Sequence, residues 1–248
     1  MIKEITSKQN PFLKQVLKLH TKKGRLKQGE YILDGLRIVS HAIEQQCDIS
    51  CLIITEECID QIATLDYSGV IYKVSGSIMK MIVETETPQG IVAVIKISEP
   101  KLIPGKVLLL DQIQDPGNLG TLIRTADAAG FTSVLLRKGC TDPYSQKSLR
   151  SSMGSIVSIP VLVNQDLDEI ISLKVSHQIY GAALEGGTPY QQITYNNQSV
   201  LIIGNEGNGI SKEVLDLVDQ RVYIPMHGDV ESLNAGIAGG ILMFEMVK

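Results

Sequence analysis

The stretch that decides the fold is VLIIGNEGNGISKEVLDLVDQRVYIPMHGDVESLNAGIAGGILMFEMVK, residues 200–248. It contains two short apolar runs, residues 200–203 and 222–224, and each run leads into a turn rich in glycine, asparagine or glutamate. Short, continuous apolar runs are typical of strands that are buried on both faces of a parallel sheet. The sequence therefore predicts two such strands, each with a polar loop at its carboxyl end.

The loop after the first run contains Gly204, Gly207 and Gly209. Glycine adopts backbone angles that are closed to other residues, so this loop can fold back tightly and let a ligand approach its main-chain N–H groups. The second loop leads into a helix predicted over residues 233–247. The first half of that helix is rich in small residues: Ala235, Gly236, Ala238, Gly239 and Gly240. Each glycine in a helix costs roughly 1 kcal/mol relative to alanine, which indicates that another element passes close by.

The composition, 44% hydrophobic and 20% charged over 248 residues, is that of a soluble globular protein with one large domain or two smaller ones. No run approaches the ~18 apolar residues of a membrane span, and the N-terminal residues MIKEITSKQN lack the apolar core of a signal peptide. We therefore expect a cytoplasmic protein with no membrane partner. The cysteines Cys47, Cys51, Cys58 and Cys140 form no CxxC pair, so we expect reduced thiols and no metal.

The charge is distributed unevenly along the chain. The formal net charge is −4, but residues 1–37 hold nine Lys or Arg against three acidic residues, whereas the rest holds 14 against 24. We therefore interpret the N-terminal segment as a basic arm. This arm is either a solvated helix face or a surface that contacts phosphates, because phosphate binding needs only local positive potential.

Residues 30–97 alternate between strand and helix, which predicts a small α/β domain. The predicted strands are residues 30–33, 51–54, 70–74 and 90–97, and the predicted helices are residues 35–46, 56–65 and 77–83. The charged, proline-bearing segment SEPKLIPGK, residues 98–106, is the predicted linker. We thus expect a first domain over residues 1–97 and a second over residues 107–248.

The second domain opens with an apolar strand, residues 107–110, followed by DQIQDPGNLGTLIRTADAAGF, residues 111–131. Asn118 is the predicted N-cap of a helix over residues 119–129, with Gly130 as its C′ residue. Ligands of open α/β sheets bind at the carboxyl ends of the strands, where this helix would start. Arg124 lies on the same largely apolar helix, where it serves either a structural ion pair or the site. Further strands are predicted at residues 133–136, 159–163 and 178–184, and further helices at residues 145–153 and 167–175.

Three stretches carry a resemblance to a known family. They are NLGTLIRTADAAGF (residues 118–131), IIGNEGNGIS (residues 202–211) and IPMHGDVESLNAGIAGGILMFE (residues 224–245). They resemble the three ordered motifs of the SpoU/TrmH family, which are RNA ribose 2′-O-methyltransferases of the SPOUT superfamily that depend on S-adenosylmethionine. Each stretch alone would be a weak signal, but their order and their places at predicted strand ends make the resemblance specific.

The resemblance implies an α/β protein whose C-terminal domain is a parallel sheet tied in a deep trefoil knot. It also implies a smaller N-terminal domain of the ribosomal-protein L30e type, which fits the alternation in residues 30–97. Members of the family are homodimers, with the final helix and the first-motif helix at the interface. The small-residue face of residues 235–240 would then be buried against the partner or the knot.

The resemblance also implies the site residues. The cofactor, S-adenosylmethionine, would lie bent in the knot, held mostly by backbone groups. The positions expected to bind it are Gly204, Ile224 and Leu233, together with Asn205, Gly209 and Met226. The positions expected to be catalytic are Arg124, which matches the invariant arginine of the family, and Asn118, Glu206, Ser232 and Asn234. Glu206 is expected to orient Asn118 or Arg124 as a buried carboxylate.

The reaction implied is attack of a ribose 2′-hydroxyl on a sulfonium methyl, which requires alignment and stabilisation of the developing negative charge. The family proposal makes Arg124 the general base, but a guanidinium stays protonated in proteins. We therefore expect Arg124 to bind the 3′ phosphate and stabilise the forming alkoxide. His227 is an alternative proton carrier. The chain departs from the family at Ala235 and Gly236, where Val-Ser is usual.

Other functions are possible from the sequence. The spacing G-x-x-G-x-G of residues 204–209 matches neither the dinucleotide fingerprint nor a P-loop, which argues against a dehydrogenase or an NTPase. A catalytically weak protein that binds ribosomal RNA or assists assembly remains an alternative, although the complete set of five catalytic positions argues against it. A tRNA 2′-O-methyltransferase is another alternative, and the expected L30e-like domain favours ribosomal RNA.

Overall fold

The computed structural model describes residues 2–248 of the chain. The chain divides into two compact units. The N-terminal unit comprises the residues up to Ser98 together with Tyr144–Arg150, and the C-terminal unit comprises Glu99–Pro143 and Ser151–Lys248. Strands and helices occur in both units, which confirms the predicted α/β fold class.

The N-terminal unit is built on a five-stranded mixed sheet. Its strands are β1 (Ile2–Ile5), β2 (Glu30–Asp34), β3 (Ile49–Ile54), β4 (Ile71–Val74) and β5 (Ile91–Lys96), in the order β1-β4-β3-β5-β2. β1, β4 and β3 run parallel, whereas β5 is antiparallel to β3 and β2. Its helices are α1 (Pro11–Lys18), α2 (Lys22–Gln28), α3 (Leu36–Glu44), α4 (Ile59–Ile62) and α5 (Gly76–Ile82). The helix predicted over residues 56–65 is a 3₁₀ turn, Glu56–Cys58, followed by the short α4.

The basic N-terminal segment is not an arm. β1 is the edge strand of the sheet, and α1 buries Leu13 and Val16 in the core of the N-terminal unit. Arg25 is buried and donates a hydrogen bond of 2.6 Å to the carbonyl of Leu19. The segment is folded because its apolar residues recur at helical spacing between the lysines, so the same helix that buries Leu13 leaves the lysines in solvent.

The C-terminal unit is built on a seven-stranded sheet in which all paired strands are parallel. Its strands are β6 (Lys106–Leu110), β7 (Ser133–Arg137), β8 (Val161–Gln165), β9 (Gln178–Ala182), β10 (Thr188–Pro189), β11 (Ser199–Ile203) and β12 (Gln220–Tyr223), in the order β10-β12-β9-β11-β6-β7-β8. The helices that follow Ser98 are α6 (Pro116–Ala128), α7 (Gln146–Ser152), α8 (Leu167–Leu173), α9 (Lys212–Leu215) and α10 (Ala235–Met246).

The segment Tyr144–Arg150, which contains most of α7, belongs to the N-terminal unit although it lies far along the chain. The rings of Tyr144 and Tyr31 are 4.7 Å apart, and Gln146 donates a hydrogen bond of 3.1 Å to the carbonyl of Ile32. The helix predicted over residues 145–153 is present, but most of it belongs to the N-terminal unit and not to the predicted second domain. The N-terminal unit is therefore assembled from two separate pieces of the chain.

The central strand of the C-terminal sheet is β11, which pairs with β6 on one side and with β9 on the other. Residues such as Leu108, Leu109 and Ile202 are fully buried, because the sheet has protein on both faces. Continuous burial explains why these strands read as unbroken apolar runs. The carboxyl ends of β6 and β11 lie side by side, so the loops that carry the first two motifs meet there.

Two helices begin at residues other than those predicted. Asp115, not Asn118, is the N-cap of α6, and its carboxylate accepts a hydrogen bond of 2.9 Å from the N–H of Asn118. Pro116 supplies the preset backbone angle of a first helical residue, which places the start three residues earlier and leaves the Asn118 side chain available. α10 begins at Ala235 because Asn234 is its N-cap. Gly130, with φ +75°, is the C′ residue of α6 as predicted.

The small residues of α10 are explained by the approach of α6. A Cβ built on Gly236 would lie 3.3 Å from Thr121, and one built on Gly239 would lie 2.3 Å from Cδ2 of Leu122. The two helices therefore pack closely enough that α10 has no room for a side chain at Gly239. The sequence predicted that another element passes close to these glycines, and that element is α6.

Gly239→Ala is expected to lower the free energy of unfolding by about 1–3 kcal/mol, because the fully buried Leu122 would have to shift. Gly240→Ala is the matched control: its Cβ would make an ordinary 3.6 Å contact with Thr125, and alanine has the higher helix propensity. Urea unfolding followed by circular dichroism measures both variants. Equal stability of the two would contradict the close packing of α10 on α6.

Candidate active site

A cavity of about 490 Å³ lies at the carboxyl ends of β9 and β12. Its walls come from those strand ends, from the loop that follows β12 and from α10. The lining residues are Ala182, Ala183, Leu184, Val222, Tyr223, Ile224, Pro225, Met226, Val230, Glu231, Ser232, Leu233, Ala238 and Leu242. The lining is mostly apolar, and the volume is within the usual range for small-molecule sites. Three of the predicted cofactor positions, Ile224, Met226 and Leu233, line this cavity.

The other three predicted cofactor positions lie outside the cavity lining, in the turn after β11. Gly204 is buried, and a Cβ on it would lie 2.2 Å from the backbone of Gly209 and Ile210. Asn205 and Gly209 exchange two backbone hydrogen bonds of 2.9 Å, which close the turn. The side chain of Asn205 accepts from the backbone N–H groups of Gly207 and Asn208 at 3.0 Å each. In the structure these residues shape a rigid turn, and their contact with a cofactor stays a prediction.

The closed turn presents Glu206 to the start of α6. The side-chain amide of Asn118 donates a hydrogen bond of 3.0 Å to Oε1 of Glu206 and accepts one of 2.9 Å from the side-chain amide of Asn234. Asn234 in turn caps α10, accepting from the N–H of Gly236 at 2.9 Å. Each amide therefore has a single orientation that satisfies its partners, since only one end of it can donate. Residues from all three motifs are joined in this chain of hydrogen bonds.

Glu206 differs from the prediction in one respect, because its side chain is exposed and not buried. Of the two predicted partners, Asn118 and Arg124, it contacts Asn118. Its carboxylate also accepts 3.1 Å hydrogen bonds from the backbone N–H groups of Gln114 and Asp115. Partial desolvation works against ionisation of this carboxyl, but the hydrogen bonds from Asn118 and the backbone outweigh it and hold the pKa of Glu206 below its usual range. Glu206 is therefore a carboxylate at neutral pH, acting as an acceptor.

Arg124 is exposed on the third turn of α6. Within residues 2–248 its guanidinium has no hydrogen-bond or ion-pair partner. Of the two alternatives for Arg124, the structural ion pair is therefore wrong. A side chain with five N–H donors and no partner in the protein is available to a ligand.

Ser232 and His227 have different surroundings. Ser232 is exposed and lines the cavity, beside Leu233. His227 is exposed and is not among the residues that line the cavity. The structure therefore brings Ser232 to the cavity together with three of the predicted cofactor positions, and it does not bring His227 there.

Sequence reasoning missed a buried ion pair beside the site. Asp111 at the end of β6 is fully buried, and it accepts from Arg137 at 3.0 Å and from the N–H of Ser211 at 2.7 Å. Arg137 also donates to Glu213 at 2.8 Å. Because a buried ion pair is expensive to break, it fixes the position where the chain leaves the second-motif loop. The sequence did contain a signal for this pair, because Asp111 and Arg137 directly follow the predicted buried strands 107–110 and 133–136.

The described residues, 2–248, contain no group of three His, Cys, Asp or Glu side chains arranged to hold a metal ion. Burial raises the pKa of the Cys140 thiol to about 11, so this cysteine is protonated at neutral pH. No helix within the described range is both long enough and apolar enough to cross a membrane.

The chain is similar to known proteins over its whole length. Residues 105–244 match the SpoU rRNA Methylase family, and residues 10–93 match a domain described as MRM3-like substrate binding. The 23S rRNA (guanosine(2553)-2′-O)-methyltransferase RlmP of Bacillus subtilis is 39% identical over 248 residues, covering 99% of both chains. An rRNA methyltransferase from Sinorhizobium meliloti, solved with S-adenosylmethionine bound, superposes with a TM-score of 0.91 at 32% identity, covering 99% of this chain and 97% of that one.

A third likeness is to the SpoU methyltransferase AviRb of Streptomyces viridochromogenes in complex with the same cofactor, with a TM-score of 0.86 at 26% identity over 96% of this chain and 97% of that one. The parallel sheet, the cavity at its carboxyl edge and these likenesses define an S-adenosylmethionine-dependent RNA methyltransferase. The chain belongs to the SpoU rRNA methylase family.

Gly204→Ala is expected to lower the methyl-transfer rate at least about tenfold, because a Cβ 2.2 Å from backbone atoms would displace the turn that presents Glu206. Gly207→Ala is the matched control in the same turn, since its Cβ would meet only the Asn205 side chain at 3.6 Å. Transfer of radiolabelled methyl to RNA measures the rate, and circular dichroism checks that both variants fold. A Gly204→Ala protein as active as the Gly207→Ala protein would contradict this account of the turn.

Proposed function

We propose that the protein transfers the methyl group of S-adenosylmethionine to a ribose 2′-hydroxyl of ribosomal RNA in the cytoplasm. The observation that carries this proposal is the hydrogen-bonded chain Glu206–Asn118–Asn234 beside a cofactor-sized cavity. Arg124, which has no partner in the described part of the chain, lies on the same helix as Asn118. The name of the 39% identical Bacillus relative supports large-subunit RNA as the substrate. The match of residues 10–93 to a substrate-binding domain supports a role for the N-terminal unit in holding the RNA.

The residues of the cavity fit the cofactor. Ala182, Ala183 and Ala238 leave space between the strand ends and α10, and Ile224 and Leu233 offer apolar surface for an adenosine group. Met226 and the backbone on either side of it complete the wall. Bound there, the cofactor supplies an electrophilic methyl group on a positively charged sulfur.

Asn118 and Arg124 are the residues that act on the RNA in this proposal. The amide of Asn118 has two N–H donors and gives one to Glu206, so the second can donate to the ribose. Arg124 binds the adjacent phosphate through two parallel N–H donors and stabilises the negative charge that develops on the 2′-oxygen. Because its guanidinium stays protonated, the hydroxyl proton leaves to the phosphate or to water.

Arg124→Lys is expected to lower kcat about 100-fold while cofactor affinity stays unchanged, because lysine keeps the charge but loses the planar pair of donors. Asp127→Asn, on the next turn of α6, is the control for a conservative substitution on the same helix. Single-turnover methyl transfer and calorimetric titration with the cofactor measure the two quantities. Near-wild-type turnover of Arg124→Lys would contradict the role given to the guanidinium.

The function itself is tested by incubating the purified protein with radiolabelled cofactor and three RNAs: 23S rRNA, 16S rRNA and bulk tRNA. We expect label in 23S rRNA, on a nucleotide whose 3′ phosphodiester then resists alkali because the 2′-oxygen is blocked. Label in tRNA would move the substrate to the alternative named above. Binding of RNA without any label would indicate an assembly protein and contradict the proposed reaction.

We further propose that residues 200–248 are threaded through a loop as a trefoil knot, and that the N-terminal unit is of the L30e type. The knot is supported by the strand order, in which β11 lies between β9 and β6 although both precede it in the chain. Family membership supports it as well. A crystal structure in which the backbone of these residues passes outside all preceding loops would contradict it.

A homodimer is the last part of the proposal, and it is supported by an apolar face on α10. Ile237 is 57% exposed and Phe244 is 51% exposed, and both lie on one side of the helix with the half-buried Ile241 between them. Large apolar side chains exposed along one helix face are typical of an interface. We propose that a second copy of the chain covers this face.

Phe244→Glu is expected to convert the dimer to a monomer, because a carboxylate would be placed in an apolar interface without a partner. Val175→Glu is the matched control, since Val175 is 90% exposed and is not part of α10. Size-exclusion chromatography with light scattering gives the mass of both variants. A Phe244→Glu protein that remains dimeric would place the interface elsewhere.

A further inference from the structure

The cavity at the carboxyl ends of β9 and β12 has a nearly uncharged lining. Of the residues that line it, Glu231 alone carries a formal charge at neutral pH. The remaining polar side chains are the phenol of Tyr223 and the hydroxyl of Ser232. A single carboxylate in an apolar wall favours a ligand with a positive charge at that point.

Glu231 belongs to a segment that leads from the cavity to the hydrogen-bonded side chains of the site. It directly precedes Ser232 and Leu233, which also line the cavity, and Asn234, whose side chain is bonded to Asn118 at 2.9 Å. Residues 231–234 therefore connect the cavity to the polar chain that we propose acts on the RNA. The reactive end of a bound methyl donor must face that polar chain, and Glu231 lies three residues from Asn234 along the chain, so we assign the positive group opposite Glu231 to the reactive end of the donor.

We propose that the carboxylate of Glu231 recognises the positive charge on the sulfur of the methyl donor and thereby distinguishes the donor from its spent form. This inference rests on the proposed function. During transfer a bond forms between the 2′-oxygen and the methyl carbon, and the carbon–sulfur bond breaks. The electron pair of that bond stays on sulfur, whose charge falls from plus one to zero, and the hydroxyl proton leaves to the phosphate or to water.

The charge on sulfur is the property that differs between the two forms at this end of the ligand. The ammonium and carboxylate of the methionine portion are present in both, so their contacts cancel when the two affinities are compared. An attraction between Glu231 and the sulfur exists only before transfer. Glu231 is consequently a specificity residue that favours entry of the donor and release of the product.

Calorimetric titrations of the full-length protein with S-adenosylmethionine and with S-adenosylhomocysteine test the proposal. Glu231→Gln is expected to weaken binding of the donor roughly fivefold, the upper end for a partly solvated ion pair, and to leave the affinity for S-adenosylhomocysteine unchanged. Sinefungin, which carries an ammonium in place of the sulfonium, is expected to lose affinity as the donor does. The loss should shrink at high salt, because an exposed ion pair is screened.

Two further variants sharpen the test. Glu231→Asp keeps the charge and is expected to keep a preference for the donor. Asp229→Asn removes a carboxylate two residues away that does not line the cavity, and it is expected to leave the ratio of the two affinities unchanged. Circular dichroism confirms that each variant is folded.

The outcomes separate this inference from the function on which it rests. Equal weakening of the donor and of S-adenosylhomocysteine in Glu231→Gln would overturn it, because the carboxylate would then contact a part that both share. Unchanged affinity for both would overturn it as well. A wild-type protein that binds neither compound would overturn the proposed function itself, and with it this assignment.

Discussion

The close approach of α10 to α6 is the constraint on which the rest of the site depends. Gly239 leaves space for the Leu122 side chain of α6, so the two helices pack closely. Only at this separation can Asn234, at the first turn of α10, donate to Asn118, at the first turn of α6. Glycine has a low helix propensity, so these residues destabilise α10 by themselves. In return they let two motifs, more than a hundred residues apart in sequence, form one hydrogen-bonded unit.

The second-motif turn completes this unit from the other side. Its backbone hydrogen bonds between Asn205 and Gly209, and the buried Asp111–Arg137 pair beneath it, hold Glu206 against the start of α6. Asn118 is thus held between a carboxylate and an amide, whereas the guanidinium of Arg124 has no partner among the residues that the structure describes. The fixed contacts of the site therefore orient Asn118 and leave Arg124 accessible.

The sequence predicted what depends on local pattern. Continuous apolar runs predicted the buried strands correctly, because burial on both faces leaves no other composition. The cap of α6 was assigned to Asn118 instead of Asp115 because both are good caps, and the choice was decided by Pro116. The pairing of β1 with β4 and the exposure of Glu206 were missed because they depend on contacts between distant residues that no local spacing encodes.

The split N-terminal unit has a consequence for how such a protein could evolve. Tyr144 and Gln146 contact Tyr31 and Ile32, so this sheet relies on a segment encoded after the strands β6 and β7. A recombination event that moved only the first 98 codons into another gene would produce an N-terminal unit without the contacts of Tyr144 and Gln146. Inheritance of both units as one gene is therefore favoured over their exchange as independent domains.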